Sequence, residues 1–169
     1  MTLVVPFDGS ALAEAALVRA TEFGVVFEED VLAVTVVPKG NATYARERGW
    51  LDEDEEFDMA TVVSRLHEQV VDRCPSADFR HAVVDRYAPS GTITRRLREM
   101  AKSAGASMVF VGSDNAGHVV ASLTSVGSGV AAAEAYDVVI VRQRSPTGIA
   151  AVRDASPYRH SKSDFYLPD

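Results

Sequence analysis

Five times along this chain a short, nearly all-apolar run gives way to a stretch with a different period, and that alternation constrains the fold more than any other feature. Leu3 to Phe7 is a run of this kind, and it ends at Asp8-Gly9-Ser10, a turn that also offers a helix cap. From Ala11 the period becomes helical, with Leu12, Ala16, Ala20 and Phe23 on one face. Val31 to Val37 is a second run, and apolar strands without polar alternation suit a parallel sheet buried on both faces. Gly40 to Asp58 breaks the pattern with Trp50, several arginines and the acidic run Asp52 to Glu56; it reads as a surface excursion leading into a helix. That helix places Met59, Val62, Val63, Leu66 and Val70 on one face and stops at Cys74-Pro75. A third strand is expected near His81 to Asp85. A helix follows from Pro89-Ser90, turning Ile93, Leu97, Met100 and Ala101 inward and ending at Gly105. Met108 to Val111 is the fourth strand, a helix is expected from about Leu123 to Ala135, and Val138 to Val141 is the fifth strand. Strands alternating with helices mean an α/β fold: one parallel sheet with helices on both faces.

At 169 residues the chain fits one domain. The tail, Gln143 to Asp169, lacks a period and is too short for a second domain; it is expected to be mobile, or docked through Tyr158, Phe165 or Tyr166. With a single cysteine, Cys74, neither an intrachain disulfide nor a cysteine zinc cage can form, and the four histidines lack metal-ligand spacing, so no metal site is expected. Net charge of −7 argues against a nucleic-acid partner. No apolar run approaches a membrane span and no signal peptide is apparent, which points to a cytoplasmic protein without a membrane partner.

Ligands of open parallel sheets sit beyond the carboxyl ends of the strands, where the strand order switches. Two such ends carry unusual chemistry here. One is Asp8-Gly9-Ser10. The other is the small-residue stretch Gly112 to Ser128, whose backbone N–H groups are suited to an anion such as phosphate. A bland reading stands beside each: Asp8 braces the turn and caps the helix, and the second stretch is a tight turn without a ligand. The phosphate-binding P-loop lysine pattern is absent.

Four segments, in order, resemble the universal stress protein family: Val4-Val5-Pro6-Phe7-Asp8-Gly9-Ser10; Val34-Thr35-Val36-Val37-Pro38, where His often stands in place of Thr35; Ala104 to Ser113; and Val138-Val139-Ile140-Val141-Arg142. The similarity runs from about Thr2 to Arg142, giving a domain over 1–142 and a tail over 143–169. The resemblance implies a five-stranded sheet in the order 3-2-1-4-5, of the adenine nucleotide alpha hydrolase-like type, with the Asp8 and Gly112 ends side by side. It implies an adenine end at Pro6, Asp8 and Val36, and ribose and phosphate contacts at Gly112, Thr124, Ser125 and Val126, with Asn115 as a further contact. ATP-binding members carry G-x-x-G, nine residues, then G-S or G-T. Here Gly112 matches the first glycine, the second falls on Asn115, and the third falls one residue early on Thr124, with Ser125 following. One or two lost phosphate hydrogen bonds would cost about 1–3 kcal/mol, or about 10- to 100-fold in affinity, so ATP is expected to bind weakly. Gly112 is expected to be glycine so that phosphate can approach.

What the resemblance implies for function is a dimeric stress-response and signalling module rather than an enzyme, since no activated nucleophile or phosphate lysine stands near the loop. The alternatives are a slow ATP hydrolase or nucleotidyl-transfer enzyme, and a dimer with a degenerate pocket. The homodimer would pair Val138 to Val141, an apolar strand at the sheet's edge, with its own copy.

Overall fold

A computed structural model of the chain describes residues 1–115 and 135–143. Within them the elements run β1 (Thr2–Pro6), α1 (Ala11–Phe27), β2 (Asp30–Pro38), α2 (Ala42–Glu47), α3 (Met59–Arg73), β3 (Asp78–Val84), α4 (Ser90–Ser103), β4 (Ala106–Gly112), a single 3-10 turn (Ser113–Asn115) and β5 (Asp137–Val141). The strands form one parallel sheet in the order β3-β2-β1-β4-β5, as the family resemblance implies. No helix among the described residues is long and apolar enough to cross a membrane. The helix expected from Leu123 and the tail beyond Gln143 lie outside the described residues.

Alternation along the strands divides the core between two faces. Leu3, Val5, Ala33, Val37 and Phe110 point to one side and pack with Ala16, Leu17 and Ala20 of α1 and with Val62, Leu66 and Val70 of α3. Val4, Leu32, Val34, Val109 and Val111 point to the other and pack with Leu97, Met100 and Ala101 of α4. Central strands are therefore apolar throughout, and β2 is buried from Val31 to Pro38. The edge strand β3 is mostly exposed, and it begins at Asp78, three residues before the expected start near His81. Asp78, Phe79 and Arg80 pair with Leu32, Ala33 and Val34, but a half-solvated edge strand carries polar residues that hide it from an apolar-run reading.

The largest departure from expectation is Gly40 to Asp58. It is not a surface excursion throughout. It contains α2, and Ala45, Trp50 and Leu51 are buried in the α1–α3 core. Its acidic run does stay at the surface, where Glu55 pairs with Arg65 of α3 at 2.9 Å.

Gly112 ends β4 against the first turn of α1. A Cβ built there would stand 2.8 Å from Leu12 Cβ and 3.1 Å from its carbonyl carbon. The glycine is thus required by packing alone, whatever approaches it from outside. Gly112→Ala should lower unfolding stability by about 1–3 kcal/mol by forcing β4 and α1 apart. Urea denaturation would show this as a lower midpoint, and an unchanged midpoint would contradict the close approach.

Candidate functional site

The turn after β1 is built by its own side chains. Ser10, the N-cap of α1, accepts a hydrogen bond from the Ala13 amide through its hydroxyl at 3.2 Å, and Asp8 Oδ1 accepts from the Ser10 amide at 2.9 Å. Gly9 between them has φ +79°, a left-handed conformation that side chains resist. Asp8 therefore does brace the turn, while the helix cap itself is Ser10 rather than Asp8.

Where β1 ends, β2 continues. The last paired residues are Pro6 and Val34, and the Phe7 amide donates to the Val34 carbonyl at 2.8 Å. In a parallel ladder the peptide groups that face a given neighbour recur every second residue. The next rung would bring the Val36 amide to the Phe7 carbonyl. That carbonyl instead accepts from the Thr35 hydroxyl, at 2.5 Å. Thr35 is the one buried polar side chain among the described residues. The Val36 peptide is left facing the side that β1 has vacated.

A shallow cleft opens there, with a cavity volume of about 50 Å³, open to solvent. Pro6, Val34, Thr35 and Val36 line it from the strands, Asp8 from the turn after β1, and Ile93 and Leu97 from α4. Tyr44, Arg48 and Trp50 complete the lining from the segment read as a surface excursion. Trp50 is held by its indole N–H, which donates to the Asp8 carbonyl at 2.7 Å. Arg65 donates to the Trp50 carbonyl at 3.0 Å while paired with Glu55, and Arg46 donates to the Glu55 carbonyl at 2.8 Å. The Arg65 hydrogen bond holds the Glu55 carboxyl below its ordinary range. Burial raises the Tyr44 phenol above its usual value, with Arg48 opposing and the Asp8 carboxylate adding to the rise. The Arg48 guanidinium carbon lies 3.4 Å from the centre of the Tyr44 ring.

Of the residues singled out in the sequence, Pro6, Asp8 and Val36 meet in this one cleft. Gly112 sits at the end of β4, the strand on the other side of β1, outside the cleft lining. Asn115 closes the 3-10 turn that follows. Thr124, Ser125 and Val126, with the rest of the small-residue stretch, lie outside the described residues, as does His118. Tyr44, Arg48 and Trp50 were missed. Their signal was present as a Tyr-Arg pair four residues apart, one turn of helix. Cys74 is a buried thiol capping the end of α3, and burial raises its pKa. No metal-holding cluster of His, Cys, Asp and Glu occurs among the described residues.

The model of the universal stress protein family matches residues 1–142. The chain belongs to that family. Among solved structures, a hypothetical protein whose biochemical function was assigned from its structure is 15% identical, with 84% of this chain and 95% of that one covered and a TM-score of 0.51. A universal stress protein in complex with cAMP is 22% identical over 86% of this chain and 98% of that one, with a TM-score of 0.49. One from Archaeoglobus fulgidus in complex with dAMP is 14% identical over 83% and 95%, with a TM-score of 0.44. A comparison with curated proteins found no match. At these identities the first of the three speaks for the fold alone.

Thr35→Val keeps the shape of the side chain and removes the donor to a buried carbonyl. It should cost about 1–3 kcal/mol of unfolding stability, read from denaturant midpoints. A change within experimental scatter would mean that the Phe7 carbonyl finds another partner at no cost.

Proposed function

We propose that this universal stress protein is a stress-response module that binds an adenine nucleotide, ATP or AMP, weakly, with the base in the cleft beyond β1 and β2. The observation that carries this reading is the Val36 peptide, which has no ladder partner in β1 among the described residues and lies in a cleft lined by Pro6, Ile93 and Leu97 as well as Asp8, Tyr44 and Arg48. Adenine offers an acceptor at N1 and a donor at the 6-amino group, the complement of one strand residue's N–H and C=O. A mostly apolar cleft with a few fixed polar groups is the usual setting for such a ring. Phosphates would then extend toward Gly112 at the neighbouring strand end, with Asn115 beside it and Thr124, Ser125 and Val126 as the remaining contacts carried over from the family motif. Family membership supports the stress-response role.

Binding without turnover is the better reading of the cations. Arg48, which lines the cleft, is stacked on Tyr44, and Arg95 and Arg96 of α4 are paired with Glu99 at 3.8 and 3.1 Å. Calorimetry with Mg-ATP and with AMP should give a dissociation constant in the micromolar range or weaker, and the same sample should release no more than a trace of phosphate. Absence of heat at millimolar nucleotide would overturn the nucleotide reading. Sustained hydrolysis abolished by Asp8→Asn would overturn the non-catalytic one.

We further propose that the chain is a homodimer through β5. This strand ends the sheet order, Ile140 is 45% exposed, and its outer edge has no strand partner among the described residues. Antiparallel pairing with a second copy would satisfy that edge and close on itself. Light scattering should give twice the 18.2 kDa chain mass. Ile140→Pro should give monomer or aggregate; a wild-type monomer at micromolar concentration would refute the pairing.

A further inference from the structure

The adenine reading leaves open what receives the flat face of the base, and the roof of the cleft answers it in a way that rests on that reading. Tyr44 lies in α2 and Arg48, four residues on, is its C-cap; both line the cleft. The Arg48 guanidinium carbon stands over Tyr44, 3.4 Å from the ring centre. Tyr44 is in turn packed on Trp50, with ring centres 5.6 Å apart, and Trp50 is tied to Asp8. No ion pair of Arg48 within 4 Å occurs among the described residues; its guanidinium rests on the Tyr44 ring, in a cleft that the Asp8 carboxylate also lines. A guanidinium is planar and weakly hydrated, and it stacks on π faces on either side of its plane. Its place is at the β1–β2 end of the site with Val36, while Gly112 stands at the end of β4.

We infer that Arg48, pre-stacked on Tyr44, is the platform on which the purine ring lies, so that this residue reads the base and not the phosphates. Stacking is indifferent to the phosphate chain, whereas a cation placed on phosphate gains with every added charge. Trp50 provides the readout, because it is the chain's single tryptophan and it lines the cleft.

The full-length chain would be titrated with adenosine, AMP, ATP and ribose 5-phosphate, following Trp50 fluorescence and calorimetric heat. In the wild type, adenosine should perturb Trp50 and ribose 5-phosphate should not. Arg48→Ala should weaken adenosine, AMP and ATP alike, by about tenfold each. Arg48→Lys, which keeps the charge and loses the plane, should weaken them nearly as much, and Tyr44→Leu should do the same by removing the support. Unchanged affinity in Arg48→Ala would overturn the inference and leave the nucleotide reading standing. So would a loss that grows from adenosine to ATP and is restored by lysine, which would put Arg48 on the phosphates. A wild-type chain that binds none of the adenine compounds would overturn both.

Discussion

One hydrogen bond decides where this sheet stops being a sheet and becomes a site. The Thr35 hydroxyl takes the Phe7 carbonyl that the next ladder rung would have given to Val36. With that carbonyl held, the chain after β1 turns through Asp8 and Gly9 into α1, and β2 runs on alone to Pro38 on that side. A buried strand residue with an unpaired peptide is costly unless something answers it. The proposed adenine does so with its own donor and acceptor. The end of the β1–β2 ladder and the proposed ligand preference thus rest on one exchange in it, a side-chain donor for a main-chain donor.

The cleft has its roof because Gly40 to Asp58 is tied down at several points of different kinds. Trp50 and Leu51 bury apolar surface against α3, the Trp50 indole donates to the Asp8 carbonyl, and Arg65 holds the Trp50 carbonyl from below. Arg86 donates twice to the Gly40 carbonyl, at 2.9 and 2.7 Å, and so fixes the start of the segment to the end of β3. Glu55 links the far end to Arg65 and Arg46. A segment of this composition would be loose if any one of these acted alone. Together they place Tyr44 and Arg48 beside the strand ends, where they line the cleft.

The sheet was legible in the sequence because parallel central strands must be apolar on both faces, and β1, β2 and β4 are. The edge strand β3 was half legible: Ala82 to Val84 is a short apolar run, but Asp78 to Arg80 pair with β2 at a half-solvated edge, and no apolar run marks them. The order of the strands came from resemblance to a family and not from period, since local pattern carries no information about which strand lies beside which. Pro6, Asp8 and Val36 were found through the same resemblance, and they do converge. Gly112 was assigned to phosphate approach, yet Leu12 alone requires it to lack a side chain. Tyr44, Arg48 and Trp50 were hidden by their neighbours, because a run of charge from Asp52 to Glu56 makes the whole segment read as solvated. Burial of Trp50 depends on partners in β1 and α3, remote in sequence, and no local pattern announces it.

The central claim is that the Val36 peptide and the cleft around it receive an adenine ring. The most direct measurement is a backbone and indole amide NMR titration of the full-length chain with adenosine, which carries the base and no phosphate. The account predicts that the amide of Val36, the amides of Asp8 and Arg48, and the Trp50 indole N–H shift together along one saturable binding curve. Saturable shifts confined to other parts of the chain, with Val36 and the Trp50 indole unmoved, would contradict it.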